Sequence, residues 1–145
     1  MPESSTVEFL NRLLSLHSRS LPTYLASARP WFPQKSSEIE AVLRLIADDQ
    51  RLMVDHIAAV IMDQHGTIQR SEFPMEFTDL HDLSVDYLLP RVIDRQQREI
   101  AWMRSGLADL QDEPAARAVA EEALGAAQAH LDSLLEVSGE SPVKT

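Results

Sequence analysis

No cysteine occurs in the 145 residues, so disulfides, thiolate nucleophiles, iron–sulfur clusters and sulfur-ligated zinc are excluded. Any metal would have to sit on nitrogen and oxygen ligands. Glycine is scarce, at 4 residues, and these form no glycine-rich phosphate loop. A nucleophile elbow and a His-x-x-x-His pair are missing too. No apolar run approaches the length of a membrane span, and Met1-Pro2-Glu3-Ser4-Ser5 lacks the basic and apolar regions of a signal peptide. A soluble, cytoplasmic protein is the expectation. Positive charge is also short. The 13 Lys and Arg against 23 Asp and Glu give a net charge of −10, which leaves little to attract nucleic acid or an anionic membrane. The basic residues read as dispersed along the chain.

What is present is hydrophobic patterning at helical spacing. With 44% hydrophobic residues the chain can build one core, read here as a single domain over residues 1–137 followed by a disordered tail, 138–145. The first segment opens on Ser5-Thr6-Val7-Glu8, which has the form of a capping box. Its stripe runs Val7, Leu10, Leu14, His17, Leu21, Tyr24, Ala28, and Pro22 should kink this helix or end it early. Arg29-Pro30-Trp31-Phe32-Pro33 is then a proline-framed aromatic turn, a plug over one end of the fold or a partner surface. A second capping box, Ser37-Glu38-Ile39-Glu40, starts a helix to His65 with Gly66 as its stop. Its inward row reads Val42, Ile46, Asp49, Met53, His56 and Val60. The third segment, from near Asp79, is interrupted by Pro90 and carries Leu83, Leu88, Leu89, Val92, Gln96, Glu99, Met103, Leu107 and Leu110 roughly on one side. The fourth runs from about Ala115 to Val137.

Between the second and third segments, Phe73, Met75 and Phe77 alternate with period two and read as an extended strap. The fourteen residues from Gly66 to Asp79 can span at most about 46 Å, far more than a short antiparallel turn needs, which favours a crossover. The fold class expected is therefore all-α: a four-helix bundle made of two antiparallel helix pairs joined by a long crossover between helices 2 and 3.

Each stripe carries an ionisable or amide residue near its middle: His17, then Asp49 and His56, then Gln96 and Glu99, then Glu122 and His130. Counting about eleven residues inward from one common end brings all four stretches to the same height. In architecture and in these inward polar residues, the chain resembles the ferritin-like superfamily over roughly residues 6–137. Di-iron members carry a Glu on two helices and Glu-x-x-His on the other two, because bridging carboxylates neutralise two ions while the histidines complete their shells. Here Met53-Val54-Asp55-His56 and Ala127-Gln128-Ala129-His130 keep both histidines and lack both glutamates. His17 stands where a glutamate would be expected, and Glu99 matches by type. The resemblance thus implies a degenerate centre, without the paired carboxylates that ferroxidase or oxygenase chemistry requires.

Two readings follow. In the first, the protein is a non-catalytic binding or assembly protein without a metal, its polar layer fixing helix register through carboxylate–imidazole pairs, Glu99 with His17 or His130 and Asp49 with His17. In the second, His17, His56, Glu99 and His130 hold one iron, zinc or manganese ion for oxidoreductase chemistry. Trp31, Phe32, Trp102 and the strap residues offer more large side chains than a monomer needs, so a homo-oligomer, or binding of a protein partner, is expected.

Overall fold

A computed structural model describes residues 4–28, 37–79 and 85–139. Its helices are α1 (Ser5–Ser18), α2 (Leu21–Ala28), α3 (Ser37–Asp63), α4 (Val85–Leu107) and α5 (Pro114–Val137), with 3-10 turns at Met75–Asp79 and Ala108–Leu110. Among the described residues there is no strand, and no helix is long and apolar enough to cross a membrane. Both α1 and α2 pack on α3, so they form one broken arm; α5 packs on α3 and α4. The result is an all-helical, four-helix arrangement. The aromatic turn at 29–33, Leu83 and the tail from 140 lie outside the described residues.

The helix ends are set by local chemistry that shifts several expected boundaries. Ser4, not Ser5, caps α1, its hydroxyl accepting from the Val7 amide at 3.2 Å. Ser37 is likewise already helical and does not act as the cap of α3. Pro22 ends the first helix without kinking it: α1 stops at Ser18, and Ser20 opens α2 by accepting from the Thr23 amide at 3.1 Å. That puts Pro22 in a first turn, where its missing N–H is no loss. Pro90, by contrast, lies inside α4, which continues through it.

The stop of α3 also differs from expectation. His65 takes the left-handed conformation, φ 59°, while its amide bonds the Met62 carbonyl at 3.0 Å and the Gly66 amide bonds Ile61 at 2.9 Å. This is the Schellman pattern with histidine in the position that glycine usually fills. Gly66 serves close approach instead, since a Cβ there would lie 2.7 and 2.9 Å from the two methyls of Val7.

After Gly66 the chain lies along the first arm, held by a polar row spaced four residues apart. The Asn11 amide donates to the Thr67 carbonyl (2.9 Å) and accepts from the Gln69 amide (2.8 Å). Ser15 meets Ser71 (2.9 Å), and Arg19 Nε donates to the Ser71 carbonyl (2.7 Å). Farther on, Phe73 and Phe77 pack their rings against Tyr24. The period-two expectation for this strap fails at Met75, which is 86% exposed because the chain coils into a 3-10 turn there.

The core has two apolar halves. One gathers Val7, Leu10 and Leu14 with Ile57 and Ile61, Ile100 and Met103, and the alanines of α5 from 116 to 127. The other gathers Leu21 and Leu25 with Leu43 and Ile46, Leu88 and Val92, Phe77 and Leu134. On every arm a buried polar residue falls between the two sets: His17 and Ser20, Gln50, Gln96 and His130. A polar layer thus exists, but its α3 member is Gln50. The buried row of α3 is Leu43, Ile46, Ala47, Gln50, Met53, Ile57 and Ile61, turned by one residue from the row expected through Asp49 and His56. The reason is apolar content: the chosen face spends one amide across the layer, whereas the expected face would have buried two ionisable groups.

Candidate functional site

Each polar group in the layer is hydrogen-bonded within the protein, and Ser20 bonds both Thr23 and Gln50. Ser20 donates to Gln50 Oε1 at 2.6 Å, and Gln96 Nε2 donates to the Ala127 carbonyl at 2.9 Å across the α4–α5 contact. His17 Nδ1 donates to the Leu13 carbonyl one turn back, at 2.8 Å. Burial pushes the His17 imidazole below its ordinary pKa; the Leu13 bond works against this, and the nearby His130 adds to it. His130 Nε2 donates to Asp49 Oδ2 at 2.9 Å, a pair that joins α5 to α3 with the histidine buried and the carboxylate half exposed.

The four residues proposed from sequence as a ligand set therefore divide. His17 and His130 both lie in the layer, where His130 helps to lower the pKa of His17. His56 is on the outer face of α3, 55% exposed, with Nδ1 3.3 Å from the carboxylate of Glu122, which is exposed as well. Glu99 belongs to a different neighbourhood, described below. Among the described residues no group of three or more His, Asp or Glu side chains is arranged to hold a metal ion. Asp49 is partnered by His130 on α5 and not by His17, as the shifted phase of α3 requires.

Glu99 sits at the edge of the core between α1 and α4, only 13% exposed, and burial raises its carboxyl to about 7. Three guanidinium groups oppose that shift, Arg95 most, then Arg98 and Arg12. Arg95 is tied on three sides: Nη1 bonds Glu76 at 3.0 Å, the guanidinium lies 4.7 Å over the Phe77 ring, and Nε is 3.4 Å from Glu99 Oε2. That last contact is an ion pair without hydrogen-bond alignment, so Nε is buried with no hydrogen-bond partner. Arg98 pairs with Asp94 at 3.1 Å on the surface. The wall opposite is Trp102, stacked on Phe9 with centroids 4.8 Å apart; a Cβ at Gly106 would enter the Phe9 ring.

These residues enclose a cleft of about 160 Å³ lined by Arg12, Leu16, Arg95, Arg98, Glu99 and Trp102. A larger neighbour of about 410 Å³ shares Arg95 and Arg98 and adds Arg91 and Phe77. Four of the thirteen basic residues, Arg12, Arg91, Arg95 and Arg98, thus gather around α4, with Glu76 and Asp94 beside them. The signal was present in the sequence: Arg91, Arg95 and Arg98 recur at steps of four and three, which is one face of a helix. Gln50 and Ser20 were missed because neither is ionisable, yet buried amides and hydroxyls satisfy a polar layer as well as charges do.

In comparisons with known proteins, no protein-family model, no curated protein and no solved structure matches this chain.

Proposed function

We propose that this protein is a ferritin-like bundle with a degenerate, metal-free centre, acting as a non-catalytic binding or assembly protein. The observation that carries this reading is that every layer group already has a protein partner, His17 on Leu13, His130 on Asp49, Gln50 on Ser20 and Gln96 on Ala127. The three bonds that join different elements select one helix register, and His17, bonded within its own helix, is not turned toward a point shared with the others.

The ferritin-like crossover rests on three contacts. Gly66, just past α3, meets Val7 near the start of α1; residues 67–71 then follow α1 from Asn11 to Arg19; and Phe77 reaches Tyr24 in α2. A connection running the length of the first arm returns the chain to the end where α3 began, so α4 would run parallel to α3. The approach of Phe9 to Gly106 near the end of α4 supports the same direction.

Elemental mass spectrometry on chain purified without chelator, then supplied with iron, zinc and manganese, tests the centre. Less than about 0.1 ion per chain is expected from an unformed ligand set. One bound ion, lost on His17→Ala with His130→Ala, would replace this reading with a mononuclear oxidoreductase. The assembly proposed is a symmetric pair of chains. It is supported by Leu45 and Leu52, which are 55% and 62% exposed on one face of α3. Trp102 no longer supports it, being stacked on Phe9, and Trp31 and Phe32 lie outside the described residues. Sedimentation equilibrium should give a dimer that Leu52→Glu converts to monomer.

A further inference from the structure

We propose that the cleft between α1 and α4 binds a small oxyanion, a carboxylate or a phosphate, held by Arg12, Arg95 and Arg98 against the Trp102 wall. The site goes beyond the binding or assembly reading and does not rest on it. It uses none of the layer histidines and shares only Glu99 with the four-residue ligand set.

Charge is the first argument. In a chain of net charge −10, three of the thirteen basic residues line one cleft of about 160 Å³ whose sole acidic lining residue is Glu99. Such a focus of positive charge on an acidic molecule has no general role in solubility. Unsatisfied chemistry is the second. Arg95 Nε is buried without a hydrogen-bond partner, and a native structure rarely leaves such a donor unmet. Arg12 has no ion-pair partner among the described residues and reaches Glu99 only through its field. An oxyanion in the cleft would accept from Arg12 and Arg98, in the forked geometry that suits guanidinium groups, beside the charge of Arg95. Size is the third. About 160 Å³ is room enough for phosphate or a short carboxylate, and the adjoining cleft of about 410 Å³ shares Arg95 and Arg98.

Glu99 makes the binding proton-linked. Its carboxyl is faced by Arg12 from α1 and by Arg95 and Arg98 from its own helix, while Glu76 and Asp94 engage the outer sides of Arg95 and Arg98. An arriving anion repels the ionised form of Glu99, so the carboxyl takes up a proton on binding. Affinity therefore falls as pH rises through about 7.

Isothermal titration of the full chain with inorganic phosphate and, separately, with acetate, at constant ionic strength and in two buffers of different ionisation heat, tests this. Saturable binding is expected, with proton uptake near pH 7. Arg12→Gln and Arg98→Gln should each weaken it about tenfold or more. Both side chains are exposed, so both variants should keep the wild-type circular dichroism. Glu99→Gln should bind more tightly and without proton uptake. Saturation by phosphate alone assigns a tetrahedral anion, and saturation by acetate alone a carboxylate. No saturable heat with either, or binding that neither arginine substitution weakens, overturns the proposal.

Discussion

The two halves of the core are filled by opposite means. On the side of the chain's start, the helices close in on small residues: Ala116, Ala120, Ala123 and Ala127 of α5 are buried, and Gly66 and Gly106 admit Val7 and Phe9. On the other side the first arm breaks at Arg19–Ser20 and α5 contributes Leu134. The space there is taken by an aromatic group from the connection, Phe77 at 1% exposed with Phe73 and Tyr24 around it. Close helix approach needs small side chains, whereas a broken arm needs a filler from elsewhere in the chain. The strap is thus a core element in one half and a surface element, hydrogen-bonded to α1, in the other.

The largest test of this contrast is Phe77→Ala. Removal of a ring that is wholly buried should cost about 3–5 kcal/mol, read as a lower urea midpoint at unchanged slope. A cost below about 1 kcal/mol would mean that the strap rests on the core without belonging to it.

Next in size is the pH response of the two groups between the halves and at their edge. Glu99 has a folded value of about 7 against 4.5 unfolded, so the folded state holds the extra proton. Its contribution to stability is present below pH 4.5 and is lost as pH rises to about 7. Glu99→Gln should therefore stabilise the protein at pH 8 by up to about 3 kcal/mol and change little at pH 4. His17 acts in the other direction. Its folded value lies below 6.5, so stability is retained above that pH and lost as pH falls through it. In the wild type the two slopes oppose one another just below pH 6.5. His17→Gln should expose the Glu99 slope, measured as a steeper fall of the urea midpoint from pH 5 to 7.

The small-residue half can be probed by overfilling it. Ala120→Leu should cost about 2 kcal/mol, since the buried alanine has no room for three more carbons. Ala129→Leu, on the exposed side of the same helix, should be neutral in the same melts.

Much of this fold is legible in the sequence, because periodicity states which residues are apolar and where helices stop. The stripe of the first arm, the burial of Val92, Gln96 and Met103, and a polar residue on every arm all follow from spacing alone. The phase of α3 does not. Val42 and Leu43, Asp49 and Gln50, His56 and Ile57, Val60 and Ile61 are adjacent pairs, so two faces 100° apart compete, and the burial cost of charge decides between them. The arginine cleft is half legible. Arg91, Arg95 and Arg98 share a face by spacing, but that Arg12 joins them depends on which arm neighbours α4, which no local pattern encodes.

The smallest expected effect lies at the exit from α3, where the small-residue half meets the strap. His65 holds a left-handed φ of 59° with its side chain exposed, at the capping position that glycine occupies at little steric cost. The conformation costs a side-chain-bearing residue about 1–2 kcal/mol, and glycine's greater freedom in the unfolded chain returns about 0.5–1 kcal/mol of that. His65→Gly should therefore stabilise the protein by about 0.5–1 kcal/mol, a rise of a few degrees in the melting temperature for a chain of this length. Gly66→Ala should do the opposite, because its Cβ would press on both methyls of Val7 and, at 3.2 Å, on Ile61. Neighbouring residues would then answer with opposite signs to the exchange of a glycine, one through backbone conformation and the other through contact. Equal signs would mean that the left-handed residue and the close approach have been assigned to the wrong members of the pair.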